Sequence, residues 1–486
     1  MLFGKYYVII LCCSLIYVRR KNMEQKKSSF TGSIGFVLAA AGSAVGLGNI
    51  WRFPNLAAKH GGGLFILVYI ALVLLFGFAL LMTDIAIGRK TGMNAGNAYG
   101  AISKKWKWVG HLTFVVPAII MMYYTVIGGW ILRYFTEYVT FNGATVAQDG
   151  YFGSFISSPV SPIVFMLIYL LITAVIVYAG VEKGIEKFSK IVMPALLLLI
   201  AGIAIYSLTL SYTDASGVTR TGLEGAAIYF VPNFEGMTFG KFINVVLDAM
   251  NQMFYSLSVA MGIMITYGSY VKKDVNINKS VTQIQLFDTM VAILSGMMIV
   301  PAVCVFFGPE RMTEEAGAGL MFVTLPKVFE NMGFAGHIVA ILFFVMVAFA
   351  ALTSSVSIME TVVASCMEYF KKSRKQMSLL VAACAAIGAL VVCLGYNVFY
   401  FELALPNGTV GQILDVADYV SNSVIMPFIT IMTCVLIGWI VKPKWVIDEV
   451  QLNGEKFGRR GLYIVIIKFV APVVMTILLL KALGIF

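Results

Sequence analysis

The chain has 486 residues, 60% of them hydrophobic and 12% charged, with a net charge of +11. A soluble globular protein is nearer half apolar and one quarter charged, so this composition excludes an ordinary water-soluble fold and points to lipid as the solvent. The basic residues cluster in short stretches between apolar runs, which fits membrane topology and argues against nucleic-acid binding.

Residues 1–26 read as an N-terminal extension. Its apolar part, Tyr6 to Val18, falls short of the roughly twenty residues a span needs, and no small-residue cleavage site follows. Met23 opens "MEQKKSSF", an alternative start; an interfacial helix is the other reading.

From there the length rule predicts an all-α polytopic membrane protein with about eleven spans. They fall at 32–57, 63–88, 110–138, 161–180, 187–210, 240–269, 282–308, 336–370, 377–396, 410–441 and 461–484.

The first span contains "AAAGSAVGLGNIWRFPN", Ala39 to Asn55. Unwound backbone in a bilayer is tolerated only where it is buried or lines a cavity, so the Gly-punctuated stretch Ala44 to Gly48 is a candidate break. Glycines of this kind also allow close helix packing. The sixth span carries a second interruption in "MFYSLSVAMG", Met253 to Gly262. Paired breaks in corresponding positions of two halves point to an inverted-repeat transporter with a midplane site. Asp288 in the seventh span and "ALTSS", Ala351 to Ser355, in the eighth add polar groups at depth. Intramembrane carboxylates are costly and mark function by default. Oxygen ligands of these kinds suit a hard cation such as Na⁺.

The loops set the orientation. Arg89, Lys90, Lys104, Lys105 and Lys107 follow the second span; further basic clusters follow the fourth, sixth, eighth and tenth. The loops 141–160 and 397–408 contain no Lys or Arg. This pattern places the N-terminus in the cytoplasm and, with an odd span count, the C-terminus outside. The long outer connections 211–238 and 309–335 are candidates for gates or lids.

No chemistry of bond-making emerges. The seven cysteines show no CxxC spacing, His60, His111 and His337 are scattered, and neither HExxH nor a credible GxSxG is present. An ion channel and a substrate sensor are the rival readings.

The motifs "GSAVGLGNIWRFP", "SLSVAMG", "ALTSSVSIME" and "LDVADYV" occur in this order. They resemble the first-, sixth-, eighth- and tenth-helix signatures of the neurotransmitter:sodium symporter family, in its bacterial amino-acid branch. The resemblance covers about residues 27–484. It implies the leucine-transporter fold: a first repeat over 27–210, an outer loop 211–239, a second repeat over 240–441, then a loop and final span in 442–486. It implies sodium-coupled import of a neutral amino acid by alternating access, in a monomer or homodimer.

The resemblance also assigns residues. One sodium is held by the Ala44 carbonyl, Asn49, Ser256 and Asp288, with the substrate carboxylate. A second is held by carbonyls of Gly42, Val45 and Ala350 and hydroxyls of Thr353 and Ser354. Substrate contacts come from the backbone at Ala44, Leu47 and Gly48, from the Tyr124 hydroxyl and from Ser256. Tyr255, Ser258, Met261, Ser354 and Ile358 surround its side chain. Arg52 and Asp418 form the outer gate; Lys27, Ser269, Tyr270 and Glu368 form the inner one.

Departures from the family pattern shape the expectations. Tyr255 replaces a Phe lid, Ala260 a Gly and Lys27 an Arg. Met261, flexible and adaptable, favours a large apolar or aromatic side chain. Chloride-requiring members use a site matching Tyr69, Gln252, Ser256 and a seventh-helix Ser. Here Ala292 takes that Ser position and Asp288 the place of a usual Asn, so chloride independence is expected. Proton counter-movement through Asp288 stays open.

Overall fold

The computed structural model of the protein describes residues 29–314 and 317–485; the N-terminal extension and Lys27 lie outside these. The first span is two helices, α1 (Ser33–Ala44) and α2 (Gly48–Lys59), bent by 53° at the break between them. Then follow α3 (Gly63–Thr91), α4 (Lys104–Val139), α5 (Ser161–Tyr178) and α6 (Val181–Leu208). The sixth predicted span is also two helices, α7 (Phe239–Ser256) and α8 (Ile263–Tyr270). The chain ends with α9 (Ile277–Phe307), α10 (Gly333–Phe370), α11 (Arg374–Leu394), α12 (Ile413–Ile440) and α13 (Arg460–Ala482). Among the described residues, nine helices are continuous and apolar enough to cross a bilayer, and α1 with α2 makes a tenth crossing.

Several helices outrun the apolar runs that announce them. The third apolar run begins at 110, but α4 starts at Lys104; the seventh begins at 282, but α9 starts at Ile277 behind an Asn276 cap that accepts from the Lys279 amide. A hydropathy rule sees only the part in hydrocarbon. Hydrogen-bonded turns continue into the polar interface, where Lys and Asn are welcome.

The outer connections are ordered. Residues 211–221 form a short antiparallel hairpin, Ser211–Thr213 with Thr219–Thr221. It leads into a helix Gly222–Phe230 closed by a capping box between Thr221 and Glu224. The second long connection carries Leu325–Asn331, and the Asn55 side chain donates to the Met312 carbonyl at 2.6 Å, tying α2 to this loop. Large apolar side chains such as Leu67, Leu171, Leu198 and Ile387 remain exposed on the outer helices. Lipid covers such a surface at no cost. Of the broken helices, α1 packs against α9 and α10, α2 against α9, α7 against α3, and α8 against α3 and α10.

Candidate ion and substrate site

The first break is built from close approach. A Cβ on Gly46 would lie 2.9 Å from the Ser354 hydroxyl, and one on Gly48 2.8 Å from the Tyr255 ring. Only hydrogen at these positions lets the chain pass between α10 and α7. Val45 turns to an extended conformation (ψ 104°), so the carbonyls around it point into the interior instead of along a helix.

The second break is more strained. Ser258 and Ala260 have positive φ, 52° and 61°, and Gly262 follows at 74°. Such conformations cost free energy for residues with a Cβ and persist only where the surroundings hold them. One support is Asp84 on α3, whose carboxylate accepts the Ala260 amide at 3.1 Å. Asp84 is buried and absent from the motifs, so reasoning from sequence missed it. Its signal was available: an acid inside the second apolar run.

Asp288 lies at the centre. Its Oδ1 accepts from Asn49 Nδ2 at 2.8 Å and Ser256 Oγ at 2.6 Å, and its Oδ2 accepts from the Tyr69 hydroxyl at 3.1 Å. The residue is wholly buried, and no Lys, Arg or His among the described residues pairs with it. A buried carboxylate without a counter-charge is expensive. Three neutral donors reduce that cost and leave its negative charge for a cation to balance.

A second cluster of oxygens flanks the same break. The Ser354 hydroxyl lies 3.5, 3.2 and 3.3 Å from the carbonyls of Gly42, Ser43 and Val45. One hydroxyl proton cannot satisfy three carbonyls. Thr353 donates to the Ala350 carbonyl at 3.0 Å one turn away, and a Cβ on Gly42 would lie 3.1 Å from Thr353 Cβ. The groups expected for a second sodium therefore lie close together, with more acceptors than donors. Among the described residues no three His, Cys, Asp or Glu come together, so a soft-metal centre has no ligands here.

The residues expected to touch substrate line one cavity: Ala44, Leu47, Gly48, Tyr124, Tyr255, Ser256, Ser258, Met261, Ser354 and Ile358. Ile120 and Ile263 also line it and were not foreseen. The space is small, about 30 Å³. Above lies a vestibule of about 650 Å³ lined by Trp51, Tyr123, Trp130, Phe152 and Tyr396. Leu47, Tyr124 and Tyr255 face both spaces and together separate them.

The Tyr124 hydroxyl is buried beside the Leu47 amide and Ser354 without a formed hydrogen bond. A ligand carboxylate would satisfy it. Tyr124→Phe is therefore expected to leave thermal stability unchanged or slightly higher while weakening substrate binding roughly ten- to a hundredfold, since a hydrogen bond to a charged group contributes about 1.5–3 kcal/mol. Equilibrium substrate binding alongside a melting curve checks both halves.

The two sets of residues expected as gates are arranged differently. Arg52 and Asp418 line the same vestibule but form no ion pair. Arg52 instead sits 6.0 Å from the Tyr255 ring centroid, and Asp418 accepts from Asn422 at 2.6 Å. On the opposite side the expected residues fall into two networks. Ser269 donates to the Asn94 side chain at 3.0 Å, and the Asn94 amide donates to Glu368 at 3.1 Å. Tyr270 turns elsewhere, donating to Glu360 at 2.6 Å, where Arg374 makes a two-pronged pair at 2.5 and 2.9 Å. Asn94, Glu360 and Arg374 were missed; the sequence reading counted Arg374 only among the basic loop residues. The chain just before α1 docks on the same side: the Thr31 amide donates to Glu186 at 2.9 Å and the Phe30 amide to the Tyr270 carbonyl at 3.2 Å.

Because the Glu360 side chain is fully buried, Arg374→Gln strands a charge. The expected loss is about 3–5 kcal/mol of stability, read as a lower melting temperature in detergent. Glu360→Gln instead leaves the Arg374 guanidinium without its carboxylate; at 15% exposed, against 0% for Glu360, it is nearer solvent and the loss should be smaller.

Comparison with known proteins agrees with this geometry. The chain matches the family described as the sodium:neurotransmitter symporter family over residues 27–146 and 155–485. It is 34% identical over 470 residues to the sodium-dependent transporter YhdH of Bacillus subtilis, covering 95% of this chain and 99% of that one. It is 30% identical over 473 residues to a sodium-dependent transporter of Methanocaldococcus jannaschii, covering 93% and 89%. Its fold is similar to the crystal structure of MhsT in complex with L-phenylalanine, with a TM-score of 0.80 at 34% identity, covering 94% of this chain and 99% of that one.

Proposed function

Since this chain belongs to the sodium:neurotransmitter symporter family, and is a membrane transporter and not an enzyme, we propose that it imports a neutral apolar or aromatic amino acid by alternating access, driven by sodium. The observation that carries the reading is Asp288: a buried carboxylate with three neutral donors and no protein cation, directly beside the cavity between two broken helices.

The ion bound there touches the substrate carboxylate, so each stabilises the other. The amino end of α2 favours that carboxylate, and the carboxyl end of α7 favours the ammonium. Ile120, Ile358 and Met261 provide an apolar seat, in keeping with the L-phenylalanine held by MhsT. The reading includes two sodium sites. It also takes α7 and α8 as one broken span, making eleven in a five-plus-five inverted repeat, with the N-terminus cytoplasmic. Two charges crossing about 100 mV supply about 4.6 kcal/mol, which supports roughly thousandfold accumulation of a zwitterion.

Chloride independence follows from occupancy of its place. The Tyr69 and Ser256 hydroxyls that would donate to an anion already donate to Asp288, and Ala292 offers no donor.

The test is uptake into proteoliposomes of labelled phenylalanine, leucine, alanine, glutamate and lysine, with Na⁺ or K⁺ outside. Accumulation of the apolar members only with external Na⁺ is expected, unchanged when gluconate replaces chloride. Equal uptake in K⁺ would remove sodium coupling; loss in gluconate would remove chloride independence.

A further inference from the structure

Arg459 precedes α13, is half-buried, and turns toward neighbouring helices. Its guanidinium lies 4.2 Å from the Phe78 ring centroid on α3, and it donates to Thr282 Oγ1 on α9 at 3.1 Å. A weaker contact, 3.5 Å, reaches the Leu74 carbonyl, which belongs to a π-turn over Val73–Gly77. No carboxylate among the described residues comes within ion-pair distance of it, whereas Arg89, Arg133, Arg220 and Arg374 all have one. Arg459 thus fills a seam between α3, α9 and α13 with positive charge and no counter-charge.

The seam is lipid-facing. Leu74 and Leu75 on α3 and Leu286 and Met290 on α9 are exposed beside it. Thr282 lies six residues, about 9 Å, along α9 from Asp288 toward its amino end, inside the ~15 Å half-thickness of the hydrocarbon. One turn beyond Thr282 on α9, Lys279 is exposed and makes no ion pair. Intramembrane cations are ordinarily paired, and basic pockets between spans at a membrane surface take lipid head groups.

We propose that Arg459 and Lys279 hold the phosphate of an anionic phospholipid, with an acyl chain lying on Leu74, Leu75 and Leu286. The bound lipid acts as the missing counter-ion and fastens α13 to α3 and α9. The depth of the seam rests on the proposed midplane site at Asp288 and the choice of leaflet, the cytoplasmic one, on the proposed orientation; the unpaired charge and the exposed apolar side chains beside it do not.

The test uses the purified full chain in detergent, without sodium or amino acid, so it is independent of the transport assay. Phosphatidylglycerol and phosphatidylcholine with identical acyl chains are titrated, and retained lipid is counted by native mass spectrometry alongside thermal unfolding. Wild-type protein should retain and be stabilised by phosphatidylglycerol at roughly tenfold lower concentration than phosphatidylcholine. Arg459→Gln should abolish that preference, and Arg459→Lys and Lys279→Gln should each reduce it. Lys444→Gln, which removes an equally positive but exposed residue, should leave it intact. Should Arg459→Gln not fold, the wild-type preference and the two milder variants still decide. Equal retention of both lipids by wild type, an equal loss in Lys444→Gln, or the same stabilisation by inorganic phosphate alone would each overturn the proposal.

Discussion

Asp288→Asn should abolish sodium-driven uptake and weaken sodium binding by about a hundredfold or more. The carboxylate is wholly buried and draws on Asn49, Ser256 and Tyr69, none of them charged. Removing one partner of a buried, hydrogen-bonded charge pair costs roughly 2–5 kcal/mol, and here the other partner is the ion. Asn keeps the shape and one acceptor oxygen, so the fold should survive. Without sodium the variant should be as stable as wild type or more so, since an uncompensated buried charge has gone. With saturating sodium the order should reverse, because wild type gains the stabilisation of the ion at Asp288, which the variant lacks, while any second site serves both. Melting curves with and without sodium read this crossover. A variant that melts like wild type under both conditions would remove Asp288 from the ion site.

The second large effect concerns packing, not charge. A Cβ on Gly88 of α3 would sit 1.8 Å from the Ile265 carbonyl oxygen and 2.8 Å from the Ser269 amide of α8. Reciprocally, a Cβ on Gly268 would sit 2.4 Å from the Ile85 carbonyl. The two backbones touch, and neither obstacle is a side chain that can rotate away. Overpacking generally costs about 1–3 kcal/mol; with backbone as the obstacle, Gly88→Ala should reach the upper end. It should also displace α8, the half-helix that carries Ser269 and Tyr270, and so lower uptake more than the melting temperature alone explains. Gly202→Ala is the matched control: it lies mid-helix in α6 with nothing within 4 Å of the added methyl. Helix propensity favours that change by up to ~1 kcal/mol. Equal behaviour of the two variants would contradict the contact between α3 and α8.

Much of this arrangement could be read from residue order, for identifiable reasons. Both helix breaks were anticipated, at 44–48 and within 253–262, because small and hydroxyl residues interrupt otherwise apolar runs there. The structure narrows them to 45–47 and 257–262. The residues expected at the substrate site, named by the resemblance to the family, all line one cavity; apart from Tyr124 on α4 they sit within or beside the quoted motifs. What escaped was long-range pairing. Arg374 looks like any other basic loop residue until α11 folds back and brings it onto Glu360, 14 positions earlier. Asp84 meets Ala260 across 176 residues, and neither carries a local pattern that names the other. The gate pair Arg52 and Asp418 shows the opposite limit. The motifs put both in the vestibule, but whether they touch depends on conformation, and here they do not.

The most direct measurement is the mutual dependence of sodium and substrate binding in detergent, by equilibrium binding of labelled phenylalanine across a sodium titration. If the substrate carboxylate shares an ion with Asp288, phenylalanine affinity rises with sodium, and sodium affinity rises with phenylalanine by the same factor. Asp288→Asn should flatten both dependences. Phenylalanine binding that is equally tight in sodium and potassium would contradict the account, because the cavity and the ion cluster would then be independent sites.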